Sequence, residues 1–421
     1  MQHDHPSDKG KAGKSIPKRI YVYASKLLAL FAGILTLPAG AGYAAGARPV
    51  RAAGAQPEIH IPVGPLGYTV PGVLPSLYAY ALTELYYIDA THLLFVFNRH
   101  GLIRRDNSCP LPDAEQRVVR AVVLELPTGK VIRQADWNLY DLTNYLWSLN
   151  DGSFLMRRCM QLERVDATLT PKPLIAAAGK IDDITFAPDR SLMSLEEEPP
   201  PVMPSAKAKL HSAQPPLQPI SVQFIGLQPL RVVARSRVQT PGDIPLMNSG
   251  ILVPLPGKSS HWLYTLFPFA GAPRQVVSVT SFCRPQTVPL ARAIFLSMLC
   301  PSPQNLEYDG YNLQGGHMWR MAFDQMHLLP QYLLSRDGSL FGIETLHLTR
   351  PMSGIGSLTK DDVDSQVLDI FNTSTGKPMG ELQFTPIYTA GGNADFSPDG
   401  TRVAILRNGA IEIYRISDLK P

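Results

Sequence analysis

The sequence predicts an all-β chain folded as a β-propeller, with seven four-stranded blades. Three observations predict it. The segment from Asn393 to Ile416, NADFSPDGTRVAILRNGAIEIYRI, reads strand, Ser-Pro-Asp-Gly turn, strand, Asn-Gly turn, strand. Variants of this unit recur upstream. Proline is abundant, at 39 residues, and apolar runs are short and divided by turn signals, which excludes long helices and leaves strands of about four to eight residues.

The turns of the C-terminal unit have physical causes. Both central positions of the Asn408-Gly409 turn favour positive φ, which suits a two-residue hairpin. Pro398 presets the corner, Asp399 follows it, and Gly400 supplies the positive φ that ends it.

The chain opens with Lys9, Lys11, Lys14, Lys18, Arg19 and Lys26 against only Asp4 and Asp8. An uncharged run, LLALFAGILTLPAGAGYAAGA, follows from Leu27 to Ala47. A basic segment, a short apolar core and small residues in an Ala-x-Ala setting make residues 1–47 a secretory signal peptide, with cleavage after Ala44 or Ala47. The alternative is an uncleaved anchor, since the whole run is just long enough to span a bilayer. In that case alone would the chain touch a membrane. The first cysteine is Cys109, so a lipid-anchored lipoprotein is not expected.

The charge balance shifts without the leader. The full chain has 39 Lys and Arg against 35 Asp and Glu; removing the leader's six and two leaves 33 of each. A neutral mature chain without a basic, aromatic-laced cluster is not expected to bind nucleic acid. About 375 of 421 residues remain, which suits a ring at about 40 to 50 residues per blade.

The N-terminal segment 48–77 contains PEIHIPV, Pro57 to Val63. It alternates and supplies a strand that the last blade lacks; the other reading is an exported tail. The propeller itself spans 78–421. Blade 1 carries LTELYYIDATHLLFVFN and RVVRAVVLELPTGKVIRQADW. Blade 2 carries YLWSLNDGSFLMRR, with its turn at Asn150, Asp151 and Gly152. Blade 3 carries DITFAPDRSLMSL, where Ala187-Pro188-Asp189-Arg190 repeats the corner without its glycine. Blade 4, from Gly250 to Thr280, has the faintest pattern. Blade 5 carries ARAIFLSMLC, NLEYDGYNL and HMWRMAF. Blade 6 carries PQYLLSRDGSLFGIETLHL, with Asp337-Gly338 in its turn, then QVLDIFNTSTGKPMGELQF. Blade 7 is the opening unit.

Phe396-Ser397-Pro398-Asp399-Gly400, Ser335-Arg336-Asp337-Gly338 and Asn150-Asp151-Gly152-Ser153 resemble the blade turns of TolB-like β-propellers, relatives of the WD-repeat folds. The Trp-Asp dipeptide of WD repeats is absent, so the scaffold carries over and partner identity does not. The resemblance implies an exported bacterial protein, in the periplasm or outside the cell. Members of this class usually bind proteins, and some propellers host enzymes, so fold alone does not choose.

Three long connections, His100–Gln116, Leu195–Pro219 and Thr349–Asp364, all join a second strand to a third and are expected to share one face. Tight Asp-Gly turns mark the opposite face. The Pro-rich stretch 195–219, LEEEPPPVMPSAKAKLHSAQPPLQP, cannot bury enough apolar area to order itself. Asp361, Asp362 and Asp364 read as a solvated turn without the glycine and closing glutamate of a calcium loop.

Four cysteines, an even number, fit an exported chain, and no Cys-x-x-Cys occurs. Cys283 precedes the inner strand of blade 5 and Cys300 ends its second strand, which permits a bridge. Cys109 and Cys159 are left for each other, on one face of adjacent blades. No Gly-x-Ser-x-Gly, His-Glu-x-x-His or phosphate loop occurs, and the histidines lack metal-ligand spacing. No catalytic, cofactor-binding or metal residue is therefore nominated, and no cofactor is expected. His317 and His327 read as structural, and Tyr308, Asp309, Tyr311 and Trp319 as packing between blades. The expected function is a monomeric, non-catalytic binding or scaffolding module of the cell envelope, its ligand a protein or small molecule. The rival is a propeller enzyme, a lactonase-like hydrolase or quinoprotein-like dehydrogenase, working in the central channel.

Overall fold

The computed structural model describes residues 55–69, 83–99, 104–105, 109–111, 115–140, 144–198, 219–238, 244–302, 305–323, 327–350, 360–384 and 392–420. The leader 1–47 and most of the Pro-rich stretch lie outside the described residues.

The chain is a seven-bladed β-propeller of antiparallel blades. β1 (Ile59–Pro62) stands apart in sequence. Blade 1 comprises β2 (Glu84–Asp89), β3 (His92–Asn98), β5 (Glu115–Glu125) and β6 (Lys130–Leu139), and the short β4 (Arg104–Arg105) also pairs with β5. Blade 2 comprises β7 (Leu146–Ser148), β8 (Phe154–Arg158), β9 (Gln161–Val165) and β10 (Lys172–Ala176). Blade 3 comprises β11 (Lys180–Phe186), β12 (Leu192–Glu198), β13 (Ile220–Leu227) and β14 (Leu230–Val238). Blade 4 comprises β15 (Leu246–Met247), β16 (Gly250–Pro256), β17 (His261–Pro268) and β18 (Arg274–Thr280). Its inner strand has only two residues, which explains the faint sequence pattern there. Blade 5 comprises β19 (Gln286–Ala291), β20 (Ile294–Ser302), β21 (Asn305–Asn312) and β22 (His317–Phe323). Blade 6 comprises β23 (His327–Leu334), β24 (Leu340–Leu348), β25 (Val363–Asn372) and β26 (Pro378–Phe384). Blade 7 comprises β27 (Ala394–Phe396), β28 (Arg402–Arg407) and β29 (Ala410–Arg415), and β1 is its fourth, outer strand.

The pairing of β1 with β29 runs from Ile59 opposite Ile413 to Pro62 opposite Ala410. The ring is thus closed by a strand from the opposite end of the chain. The largest apolar cluster sits at that seam, where Ile61 and Val63 join Tyr87, Phe95 and Phe97 of blade 1, Phe396 and Ile413 of blade 7, and Leu368 of blade 6. Middle strands such as β24 and β28 are buried on both faces because blades stack face to face, so their sequences read as apolar runs rather than alternation.

One boundary moves. The Pro-rich connection does not begin at Leu195, because β12 continues to Glu198 and pairs Glu196 with Val222 and Glu197 with Ser221. The acidic run looks solvated in sequence, yet Glu196 and Glu197 are buried in the sheet. The third connection likewise ends sooner, since β25 begins at Val363.

Candidate functional site

The propeller offers two faces and a channel. Strand order places the connections between first and second strands on one face, and those between second and third strands on the other.

The first face is a ring of interlocked turns. In five blades an aspartate Oδ1 accepts from both the backbone N–H and the hydroxyl of the residue two positions on: Asp89 with Thr91, Asp151 with Ser153, Asp189 with Ser191, Asp337 with Ser339, and Asp399 with Thr401. Hydrogen bonds from Ser397 and Thr401 hold the Asp399 carboxyl below its usual range. Each turn also touches another blade. Gly152 of blade 2, at φ +76°, lies where an added Cβ would meet the Ile88 carbonyl of blade 1 at 2.8 Å. Gly338 of blade 6 faces Ala291 of blade 5 in the same way. Arg190 fills the equivalent place in blade 3 at φ +53°, and its guanidinium donates to Ser148 of blade 2. Asp189 collects donors from three other blades: Asn150 bonds its carbonyl, while Asn248 and Arg292 bond its carboxylate. Arg336 of blade 6 donates to the carbonyls of Tyr87 and Ile88 in blade 1. Asp151, Gly152, Asp337, Gly338, Asp399 and Gly400 therefore belong to the mechanical rim, with Pro398 at the corner of the last turn.

Two inner strands, β2 and β27, and the second strand of blade 6, β24, carry buried carboxyls that the sequence did not single out. Glu84 on β2 is buried, and burial pushes its carboxyl up to about 8 despite the Tyr86 hydroxyl. Tyr86 Oη lies 2.9 Å from both a Glu84 carboxyl oxygen and the Leu146 carbonyl of blade 2. The Tyr86 hydroxyl thus has two acceptors within reach, one in each blade. Asp395 on β27 accepts the Tyr87 N–H at 2.8 Å, and burial raises it to about 6 against the pull of Arg190 and Arg336. Glu344 is bound by the Gln366 amide, and burial raises it to about 7. These groups come from blades 1, 6 and 7. Among the described residues no three acidic, histidine or cysteine side chains converge as a metal site. The signal that could have found Glu84 and Asp395 is an acidic residue inside a predicted inner strand; Glu344, on a middle strand, interrupts an apolar run.

The opposite face carries the long connections 99–114, 199–219 and 349–362, all between second and third strands. Most of their residues lie outside the described set. Both disulfides are here. Cys109, in the first of these connections, is bonded to Cys159 in the two-residue turn between β8 and β9 of the next blade. Cys159 adopts φ +59°, a left-handed conformation that glycine fills more readily. Cys283, between β18 and β19, is bonded to Cys300 near the end of β20. Phe282, beside that bridge, is 60% exposed. Asp362 is not a solvated turn residue: it is buried and accepts from Arg350 at 2.8 and 3.0 Å.

In blade 5, Tyr308, Asp309, Tyr311 and Trp319 are all buried. Asp309 accepts from Arg320 at 2.8 and 2.9 Å and from the Tyr311 hydroxyl at 2.9 Å, with His317 Nε2 at 3.6 Å. Tyr311 and Trp319 pack into different inter-blade clusters. His327 opens β23, the inner strand of blade 6.

No family model matches the chain, and no curated protein matches it by sequence. Solved structures resemble it in shape. An acylaminoacyl peptidase of Pyrococcus horikoshii aligns at 12% identity and TM-score 0.49 over 81% of this chain, which spans about half, 53%, of that one. A chain of a mitotic checkpoint complex aligns at 10% identity and TM-score 0.41 over 89% of this chain and 99% of that one. Kluyveromyces lactis Hsv2 aligns at 10% identity and TM-score 0.37 over 65% of this chain and 75% of that one. None of these likenesses assigns an activity.

Proposed function

We propose that this chain is an exported, TolB-like propeller that binds or scaffolds a protein or small ligand of the cell envelope without catalysing a reaction. It works through the face that bears the second-to-third connections. The observation that carries the reading is the Cys109–Cys159 bond, which braces a long connection of blade 1 against blade 2 on that face. A loop fixed by a covalent tie to a rigid scaffold loses less entropy on binding. The opposite rim is occupied by its own latches between blades. The two disulfides suggest an oxidising, exported environment, and no helix among the described residues is long and apolar enough to cross a membrane. The leader 1–47 is removed in this reading, so protein from the native envelope begins after Ala44 or Ala47 by mass spectrometry.

The test replaces residues 199–218 with a short Gly-Ser link and compares capture of envelope components by the two proteins. Binding falls while the melting temperature stays nearly unchanged, because loop closure depends weakly on length. Undiminished capture, or unfolding without a change in affinity, overturns the reading.

A further inference from the structure

Among the described residues, five of the six large apolar side chains open to solvent lie on two outer strands: Val131 and Ile132 on β6, and Leu230, Val232 and Val233 on β14. β14 ends the blade 3 sheet, so one side of its backbone ladder is unpaired among the described residues. It has nine residues, whereas the outer strand of the neighbouring blade 2 has five.

A bulge opposite Phe224 and Ile225 resets the faces of β14. Leu230 then opposes Leu227, Val232 opposes Ile225, Arg235 opposes Gln223 and Arg237 opposes Ser221. Gln223 in turn opposes Leu195, and Leu195, Ile225 and Leu227 pack toward blade 2. Opposed residues share a face. Leu230, Val232, Arg235 and Arg237 therefore form one row on the blade 2 side, ending at a cleft of about 100 Å³ lined by Leu149, Leu174, Leu227 and Leu230.

The row carries two arginines and no acid. Arg235 and Arg237 are exposed, as is Arg231 on the other face of the strand, and none forms an ion pair among the described residues. The neighbouring acids are engaged: Glu197 lies 3.4 Å from the Gln223 amide and Glu198 pairs with Lys180 at 3.3 Å. The other long outer strand, β6, differs in carrying an acid of its own, Asp136, which pairs with Arg99 and with Arg120 of β5.

We propose that β14 is a docking edge for an extended acidic segment of a partner protein, which pairs with it as a fifth strand of blade 3. The open ladder supplies main-chain hydrogen bonds. Alternate apolar side chains of the segment seat on Leu230 and Val232, and alternate carboxylates meet Arg235 and Arg237. A second copy of this chain is a poor occupant, because antiparallel pairing of two β14 strands would set arginines against arginines. This surface is the outer edge of one blade, separate from the loop-bearing face.

The probe is a fluorescent nonapeptide in which threonine alternates with two glutamates and then two valines. Its anisotropy with the purified protein should give saturable binding, weakened about tenfold or more by Arg235→Glu with Arg237→Glu, and weakened by added salt. The lysine counterpart should prefer that double variant. Both changes are on the surface, so the melting temperature should not move, and amide exchange should slow along β14 on binding. No binding up to about 1 mM, equal binding to both proteins, or protection elsewhere overturns the proposal, as does sedimentation of the free protein as a dimer through this edge.

Discussion

Glu58 and Arg402 are separated by 344 residues, yet the carboxylate accepts a two-point hydrogen bond, from Nε at 2.9 Å and Nη2 at 3.1 Å. Arg415 adds a second pair, at 3.2 and 3.0 Å. Two arginines thus pin the residue just before β1, and with it the strand that closes the ring.

Glu58→Gln should lower stability by about 1 kcal/mol, since a shared, partly exposed carboxylate is worth more than a lone surface pair and less than a buried one. Arg415 and Arg402 hold the Glu58 carboxyl down at about 2, from 4.5. A depressed carboxyl contributes stability that is present above its unfolded value and is lost as pH falls through the folded one. The difference between wild type and E58Q should therefore shrink between about pH 4.5 and 2. Urea denaturation at pH 7 and pH 3 checks this, and an unchanged difference would refute it.

Glu84, Glu344 and Asp395 act in the opposite direction. Burial raises them to about 8, 7 and 6. A raised carboxyl contributes stability that is fully present below its unfolded value and is lost as pH rises through the folded value. Stability should thus decline from about pH 4 to 8, and Glu84→Gln should flatten the upper part of that decline. Denaturation midpoints at several pH values measure it; parallel profiles for the two proteins would show that Glu84 is ionised in the fold.

The rim glycines separate strain from crowding. At Gly400, φ is +67° and an added Cβ would meet nothing nearer than Ser339 Oγ at 3.6 Å. Gly400→Ala should cost about 1 kcal/mol, the left-handed penalty alone. At Gly152 the Ile88 carbonyl stands at 2.8 Å, so Gly152→Ala should cost about 2 kcal/mol or more. Equal losses in thermal denaturation would mean the turns do not pack on one another. Gly400→Val should exceed Gly400→Ala, because a β-branched side chain tolerates positive φ least.

The disulfides close loops of different length. Sequence separations of 50 for Cys109–Cys159 and 17 for Cys283–Cys300 correspond to about 4 and about 3 kcal/mol on the chain-entropy model. Replacing Cys109 and Cys159 with serine should therefore cost more than replacing Cys283 and Cys300. Non-reducing peptide mapping of envelope-derived protein should recover both pairs; free thiols at these positions would refute the pairing.

Much of the fold was legible because its signals are local. Asn408 and Gly409 both take positive φ, at 51° and 78°, as an Asn-Gly hairpin requires. The common element of the rim turns is broader than Asp-Gly, namely an aspartate followed two residues later by serine or threonine. That pattern also marks Asp89-Ala90-Thr91 and Asp189-Arg190-Ser191, where glycine is absent. Blade 4 was harder to read, since a two-residue inner strand leaves no period to count. The acids of β12 misled for another reason: Glu196 and Glu197 look solvated until the neighbouring strand covers them.

By itself the sequence determined the strand–turn rhythm, hence a ring of blades, because φ preferences and alternation act within a few residues. It also placed the three long connections on one face, since blade topology leaves them no other. Only the tertiary structure decided what closes the ring, which carboxyls lose their charge, and how each rim turn rests on another blade. Those outcomes depend on desolvation and on contacts such as Glu58 with Arg402 or Gly152 with Ile88, made between residues far apart in the chain. No local propensity encodes them.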